Sequence, residues 1–257
     1  MTVRLANKSA IITGGASGMG AASAIMFAKE GAKVMVTDLD ATKGQEVVDT
    51  IKAQGGTALF AKCDVSKDAE VSAMVKQAID AFGGLDIVFN VAGVPQLSKP
   101  MEEITEAEWD LIMNVNVKSI WLTAKAAAGA LKKSGHGVIL NTGSVGGLRP
   151  RPGSVCYSAS KGAVQAITTA LAIELAPKVR VVCINPGPVD TPMLPKFIPG
   201  FKPEILDVIK QGTALQTMAV PDDIAYTAVF LASDEASKIT GIDIKVDSGL
   251  WINRGAT

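Results

Sequence analysis

Ser9-Ala-Ile-Ile-Thr-Gly-Gly-Ala-Ser-Gly-Met-Gly20 runs from an unbroken apolar stretch into a glycine-rich turn, and a helical pattern follows over residues 18–30. A short, continuously apolar run is what a parallel strand covered on both faces requires. The glycines at 14, 18 and 20 stand where the strand gives way to the helix. Without side chains there, the backbone can approach a pyrophosphate, whose charge is favoured by the free N–H groups of a helix N-terminus. Gly14, Ser17, Gly18, Met19 and Gly20 are therefore the candidate phosphate cradle.

The same alternation continues outward. Strands are expected at Ser9–Thr13 and at 33–37, 58–63, 86–90, 137–141, 179–184 and 242–246, mostly as apolar, β-branched runs. Helical stretches fill the gaps at 42–54, 68–82, 106–133, 157–176 and 221–233. Gly31, Gly55 and Gly83 suit helix C-caps, Pro177 stops a helix, and Pro221 suits a first turn. Repeated strand–helix–strand units imply right-handed crossovers and an α/β, doubly wound, seven-stranded and mainly parallel sheet with helices on both faces. No linker rich in Pro, Gly or Ser interrupts the chain, so residues 1–257 read as a single Rossmann-like domain. The pattern breaks over 185–216, where six prolines surround Phe197, Ile198 and Phe201. Long irregular insertions are commonly lids or binding loops, and a substrate lid is expected at about 188–218.

Along the carboxyl edge of such a sheet, where ligands bind, polar and small residues recur. Asp38 ends the second strand and can accept hydrogen bonds from the adenosine ribose, whereas a 2′-phosphate would be repelled. Leu39 follows it rather than an arginine, and Ser17 rather than a base stands in the loop, so NAD is favoured over NADP. Asp64-Val65 closes the third strand and Asn90-Val-Ala-Gly93 the fourth, adding Asp64, Val65, Asn90, Ala92 and Gly93 to the cofactor edge.

Composition excludes several classes. The 257 residues carry no formal net charge and 19% charged residues, which gives no footprint for nucleic acid or an anionic membrane. His136 is the only histidine and sits in Ser-Gly-His-Gly, so neither a Ser–His–acid hydrolase nor a His-rich metal centre is indicated. Cys63, Cys156 and Cys183 are odd in number and far apart, and Met1-Thr-Val-Arg-Leu is not a secretory segment. A cytoplasmic protein with free thiols is the expectation.

Tyr157 and Lys161 lie four residues apart in Tyr-Ser-Ala-Ser-Lys, on one face if the stretch is helical. A cation about 4 Å from a phenol, at an effective dielectric of ~20, favours the phenolate by roughly 4 kcal/mol. That would bring an ordinary tyrosine, near ~10, close to neutral pH, where general acid–base chemistry works best. Ser144 lies upstream in Asn-Thr-Gly-Ser.

Together these motifs resemble the short-chain dehydrogenase/reductase family from about Leu5 to Gly249. Its Thr-Gly-x-x-x-Gly-x-Gly motif corresponds to Thr13–Gly20, its Asp-Val to Asp64-Val65 and its Asn-Asn-Ala-Gly to Asn90–Gly93, with Val91 as a departure. Its catalytic serine corresponds to Ser144, with Gly143 where a second serine is frequent, and its Tyr-x-x-x-Lys pair to Tyr157 and Lys161. The resemblance implies that Tyr157 exchanges the alcohol proton, Ser144 holds the substrate oxygen, Lys161 also holds the nicotinamide ribose, and Asn116 anchors a proton-carrying water. It further implies cofactor contacts from Pro186, Gly187, Val189 and Thr191, and a homotetramer. The implied function is an NAD-dependent oxidoreductase interconverting a secondary alcohol and a ketone. The alternative on the same fold is a non-enzymatic NAD-sensing or interaction protein; a methyltransferase would leave Ser144, Tyr157 and Lys161 without a role. For Arg149 and Arg151 two readings stay open: a fork for an anionic substrate group, or solvated or subunit-contact positions.

Overall fold

A computed structural model of the chain describes residues 3–253. Seven strands form one sheet: β1 (Ser9–Thr13), β2 (Lys33–Asp38), β3 (Thr57–Lys62), β4 (Ile87–Asn90), β5 (Gly137–Thr142), β6 (Val179–Pro186) and β7 (Asp243–Val246). Their order is β3-β2-β1-β4-β5-β6-β7, and every pairing is parallel. The strand order reverses between β1 and β4, where Thr13 pairs with Asn90. A crevice at the carboxyl ends opens at such a switch point.

Alternation along each strand builds two cores. Ile12, Val36, Phe89, Leu140 and Ile184 face one side, under α1 (Gly18–Lys29), α2 (Ala41–Ala53) and α9 (Pro221–Ala232). Their neighbours Ile11, Met35, Val88, Ile139 and Val181 face the other, under α3 (Asp68–Phe82), α5 (Ser119–Ser134) and α7 (Val155–Leu175). Both faces being covered is why the strands read as continuously apolar.

Three local features depart from the expected elements. The helix expected over 106–133 is broken into α4 (Glu106–Met113), a π-turn (Asn114–Lys118) and α5. Asn-Val-Asn-Val at 114–117 forms helix poorly, and side-chain bonds from Asn116 compensate the disrupted ladder. The four-residue α6 (Val145–Leu148) starts where the Ser144 hydroxyl accepts the Gly146 N–H at 3.0 Å. The proline-rich stretch is not wholly irregular, since it contains a 3-10 turn (Leu194–Phe197) and α8 (Ile205–Gln211). No helix among the described residues is long and apolar enough to cross a membrane.

Candidate active site

The glycine loop is built for close approach. Gly14 and Gly18 have φ of 65° and 51°, in the left-handed region that favours glycine. A Cβ on Gly20 would lie 2.0 Å from the Gly14 carbonyl oxygen. Ser17, the exposed N-cap of α1, makes no side-chain capping bond. The Met19 side chain is partly buried and packs against the core beneath. The missing Cβ atoms and the helix N-terminus fit a pyrophosphate, with the backbone as donor.

Asp38 stands beside this loop. Its Oδ2 accepts from Ala16 N–H and its Oδ1 from Asp40 N–H, each at 3.1 Å, so the carboxylate is oriented before any ligand arrives. Leu39 next to it is exposed. Asp64 turns one oxygen onto Ser66, which holds its carboxyl below the usual range, and Val65 is buried. Thr191 lies across the loop, its methyl 3.3 Å from where a Cβ on Gly18 would be. It follows the edge formed by Pro186, Gly187 and Val189, where Gly187 N–H donates to Val246 O and Val189 bridges to Ala219.

Two asparagines singled out in the sequence spend their side chains inside the protein. Asn90 is at the edge through its backbone alone. Its Nδ2 donates to Asn141 Oδ1 and its Oδ1 accepts from Thr123, both at 2.9 Å. Asn116 is equally engaged, accepting from Val94 N–H at 2.8 Å and donating to Val94 O and Ser160 Oγ at 3.1 Å. Its side chain thereby ties the π-turn to the loop after β4. Ala92 and Gly93 remain partly exposed beside it.

Ser144, Tyr157 and Lys161 converge at the carboxyl end of β5. Tyr157 is partly buried, and burial pushes its phenol up while the Ser144 hydroxyl beside it pulls the other way. The expected lowering by Lys161 is not found. The ammonium lies 5.8 Å from the phenol ring centre and donates to Thr142 O at 2.7 Å. Burial lowers Lys161 itself to about 8, against a weak opposing effect from Cys183.

That shift has a consequence for stability. Below pH 8 the folded and unfolded chains both hold the Lys161 proton, and the folded chain bears the full cost of a buried charge. Between about 8 and 10.5 the unfolded chain binds more protons, so stability rises with pH, and above 10.5 the cost is gone. Lys161→Met should therefore stabilise the cofactor-free protein near pH 7 by on the order of 2 kcal/mol and flatten this rise. Urea unfolding at pH 7 and 9.5 would check it; a variant less stable than the parent at both would refute it.

Gly143 does more than lack a hydroxyl. A Cβ there would lie 1.9 Å from Asn185 Oδ1 and 2.7 Å from Cys183 Sγ. Asn185 is fully buried and donates to Asp243 Oδ2 at 3.0 Å, so it cannot retreat cheaply. The strand end that carries Ser144 is thus packed by an amide. All three cysteines are free and buried, and burial raises Cys63 and Cys183 to about 12. His136 precedes β5, at the opposite edge of the sheet from Ser144.

Sequence reading missed two contacts of Tyr157 and one that ties down the C-terminal turn. Phe197 packs edge-on against the Tyr157 ring, with centroids 4.9 Å apart and planes at 78°. Gln96 accepts the Tyr157 backbone N–H at 2.9 Å. Arg149 donates to the carbonyls of Leu250 and Asn253 at 2.9 Å, holding the C-terminal turn to the loop after α6, a role neither earlier reading contained. Phe197, an aromatic among prolines, and Arg149, in Leu-Arg-Pro-Arg-Pro, carried a sequence signal, but neither signal named a partner.

A family profile described as Enoyl-(Acyl carrier protein) reductase matches residues 14–251. The 2,5-dichloro-2,5-cyclohexadiene-1,4-diol dehydrogenase LinX of Sphingobium indicum is 43% identical over 253 residues, spanning 97% of this chain and 98% of that protein. The chain belongs to the short-chain dehydrogenase/reductase family. Among solved members of this oxidoreductase family, the 3-ketoacyl-(acyl-carrier-protein) reductase of Brucella melitensis, complexed with NADH, superposes with a TM-score of 0.89 at 39% identity, covering 96% of this chain and 99% of its own. A 7α-hydroxysteroid dehydrogenase complexed with NADH and 7-oxo glycochenodeoxycholic acid reaches a TM-score of 0.91 at 34% identity, with 96% of each chain covered. These short-chain dehydrogenases act on unlike carbon skeletons, so the shared frame does not by itself choose a substrate.

Proposed function

We propose that this chain is an NAD-dependent oxidoreductase interconverting a secondary alcohol and a ketone, with Tyr157 as general acid/base. The observation that carries this reading is the gathering of Ser144, Tyr157 and Lys161 at the carboxyl edge, beside a glycine loop shaped for a dinucleotide. When bound, NAD supplies the hydride acceptor. The loop from Gly14 to Gly20 holds the pyrophosphate, Asp38 and Leu39 the adenosine, and Asp64 and Val65 the adenine edge. Ala92, Gly93, Lys161, Pro186, Gly187, Val189 and Thr191 line the nicotinamide half. Ser144 orients the substrate oxygen, and Tyr157 takes or returns its proton. A cationic ring next to the phenol would oppose the upward push of burial.

Both solved relatives named above are NADH complexes, and the oriented Asp38 carboxylate supports the same choice here. Asp38→Ala should relax discrimination against NADP by about tenfold, since one charge repulsion near ~1.4 kcal/mol is removed. An unchanged ratio of kcat/KM for the two cofactors would contradict the ribose assignment. Residues 188–218 act as the substrate lid of a single domain, supported by the contact of Phe197 with Tyr157. Exposed Trp121 and Ile173 on the outer helices support a homotetramer, testable by light scattering.

The deciding experiment is the absorbance of reduced nicotinamide with NAD and a panel of secondary alcohols, or with NADH and the ketones. Tight NAD binding with no turnover across a broad panel would favour a cofactor sensor instead.

A further inference from the structure

Helix α7 presents Tyr157 from its first turn, where backbone N–H groups have no partner within the helix. An N-cap serine usually satisfies one of them with its hydroxyl. Ser154 does not. Its backbone is at φ −122°, ψ 27°, and it makes no side-chain capping bond. Its hydroxyl instead donates to Arg151 O at 2.6 Å and meets Ser158 Oγ at 2.9 Å.

We infer that Gln96 is a positioning residue that supplies the missing cap and so fixes where α7 holds the Tyr157 phenol. Its Oε1 accepts the Tyr157 N–H at 2.9 Å, and its Nε2 donates to Gly153 O at 2.9 Å. One amide thereby bridges the residue before the cap and the third residue of the helix. The two partners also determine the amide's orientation, because an N–H needs the oxygen and a carbonyl needs the nitrogen. Gln96 is 6% exposed, so neither bond competes freely with water.

The same loop reaches the other side of the phenol. Ser98 N–H donates to Phe197 O at 3.3 Å, and Lys99 N–H to Gly153 O at 3.4 Å. Lys99 is in turn paired with Glu108 at 2.7 Å, at the start of α4. Phe197 packs on the Tyr157 ring. The loop after β4 thus grips the tyrosine twice, by its backbone through Gln96 and by its ring through the segment carrying Phe197. Proton transfer tolerates little displacement, so a loosened first turn should reduce turnover more than binding.

This inference takes Tyr157 as the acid/base of the reading above, and the test separates the two. Gln96→Met keeps length and volume but loses both bonds; Gln96→Asn keeps the amide but falls one methylene short and serves if the first variant folds poorly. With an alcohol that the parent protein oxidises, either variant should lose about tenfold or more in kcat while NADH affinity stays within about twofold. Hydrogen exchange at the Tyr157 amide should also quicken by about tenfold in either variant, a readout independent of any activity. Parental kcat, a loss carried by KM and NADH affinity alone, or unchanged exchange at that amide would each overturn the assignment. A parent protein that oxidises no alcohol would remove the proposed function, and the exchange rates would still decide the role of Gln96.

Discussion

Tyr157→Phe is expected to lower kcat by about 10³-fold while leaving the affinity for NADH within about twofold. The substitution deletes one oxygen and keeps the ring, so the edge contact with Phe197 and the Gln96 bond to the backbone both persist. What disappears is the group proposed to exchange the substrate proton and the partner of the Ser144 hydroxyl. Deleting the hydroxyl also takes a partner from the Ser144 hydroxyl, so folding should lose about 1 kcal/mol, too little to account for the fall in kcat. Single-turnover hydride transfer and NADH titration would measure the two quantities separately. Activity within tenfold of the parent would exclude Tyr157 as proton donor.

Gly20→Ala should weaken dinucleotide binding by roughly 10- to 100-fold, with a lower unfolding temperature, because forcing one methyl into a packed place costs about 1–3 kcal/mol. The added Cβ would stand 2.0 Å from Gly14 O and 2.7 Å from Gly14 C, both backbone atoms. Gly14 cannot yield, because its own surroundings are closed. A Cβ at Gly14 would lie 2.8 Å from Ala92 N, and the next N–H, of Gly15, is bonded to Thr37 O at 2.9 Å. The loop would have to rise into the space that a pyrophosphate needs. Gly129→Ala is the control, since nothing lies within 4 Å of a Cβ there and its helix should gain slightly. Calorimetric titration with NADH checks both; equal affinity for Gly20→Ala and the parent would show that the loop does not hold the cofactor.

The strands and most helices were legible because each has its own period and punctuation. β1 and α3 have the expected bounds, and the other strands shift by no more than two residues at either end. The break at Asn114–Lys118 was not legible, since neither proline nor glycine marks it and its compensation comes from Val94 and Ser160, distant in sequence. For the same reason the partners of the Asn90 and Asn116 side chains were not legible. Both amides are spent inside the protein on partners that no local pattern reveals. The ammonium expected to act on the Tyr157 phenol is turned onto Thr142 O, because a buried cation takes the nearest carbonyl.

By itself the chain's order of residues determined the parallel sheet, the glycine cradle, the acidic end of β2 and the pairing of Tyr157 with Lys161 on one helical face. These follow from periodicity and backbone geometry, which act over a few residues. Tertiary structure alone decided that Gln96 caps α7, that Asn185 forces a glycine at 143, that Phe197 meets the phenol ring and that Arg149 holds the C-terminal turn. Each of these contacts joins segments far apart in the chain, and buried polar groups take whichever partner the packed fold brings within reach.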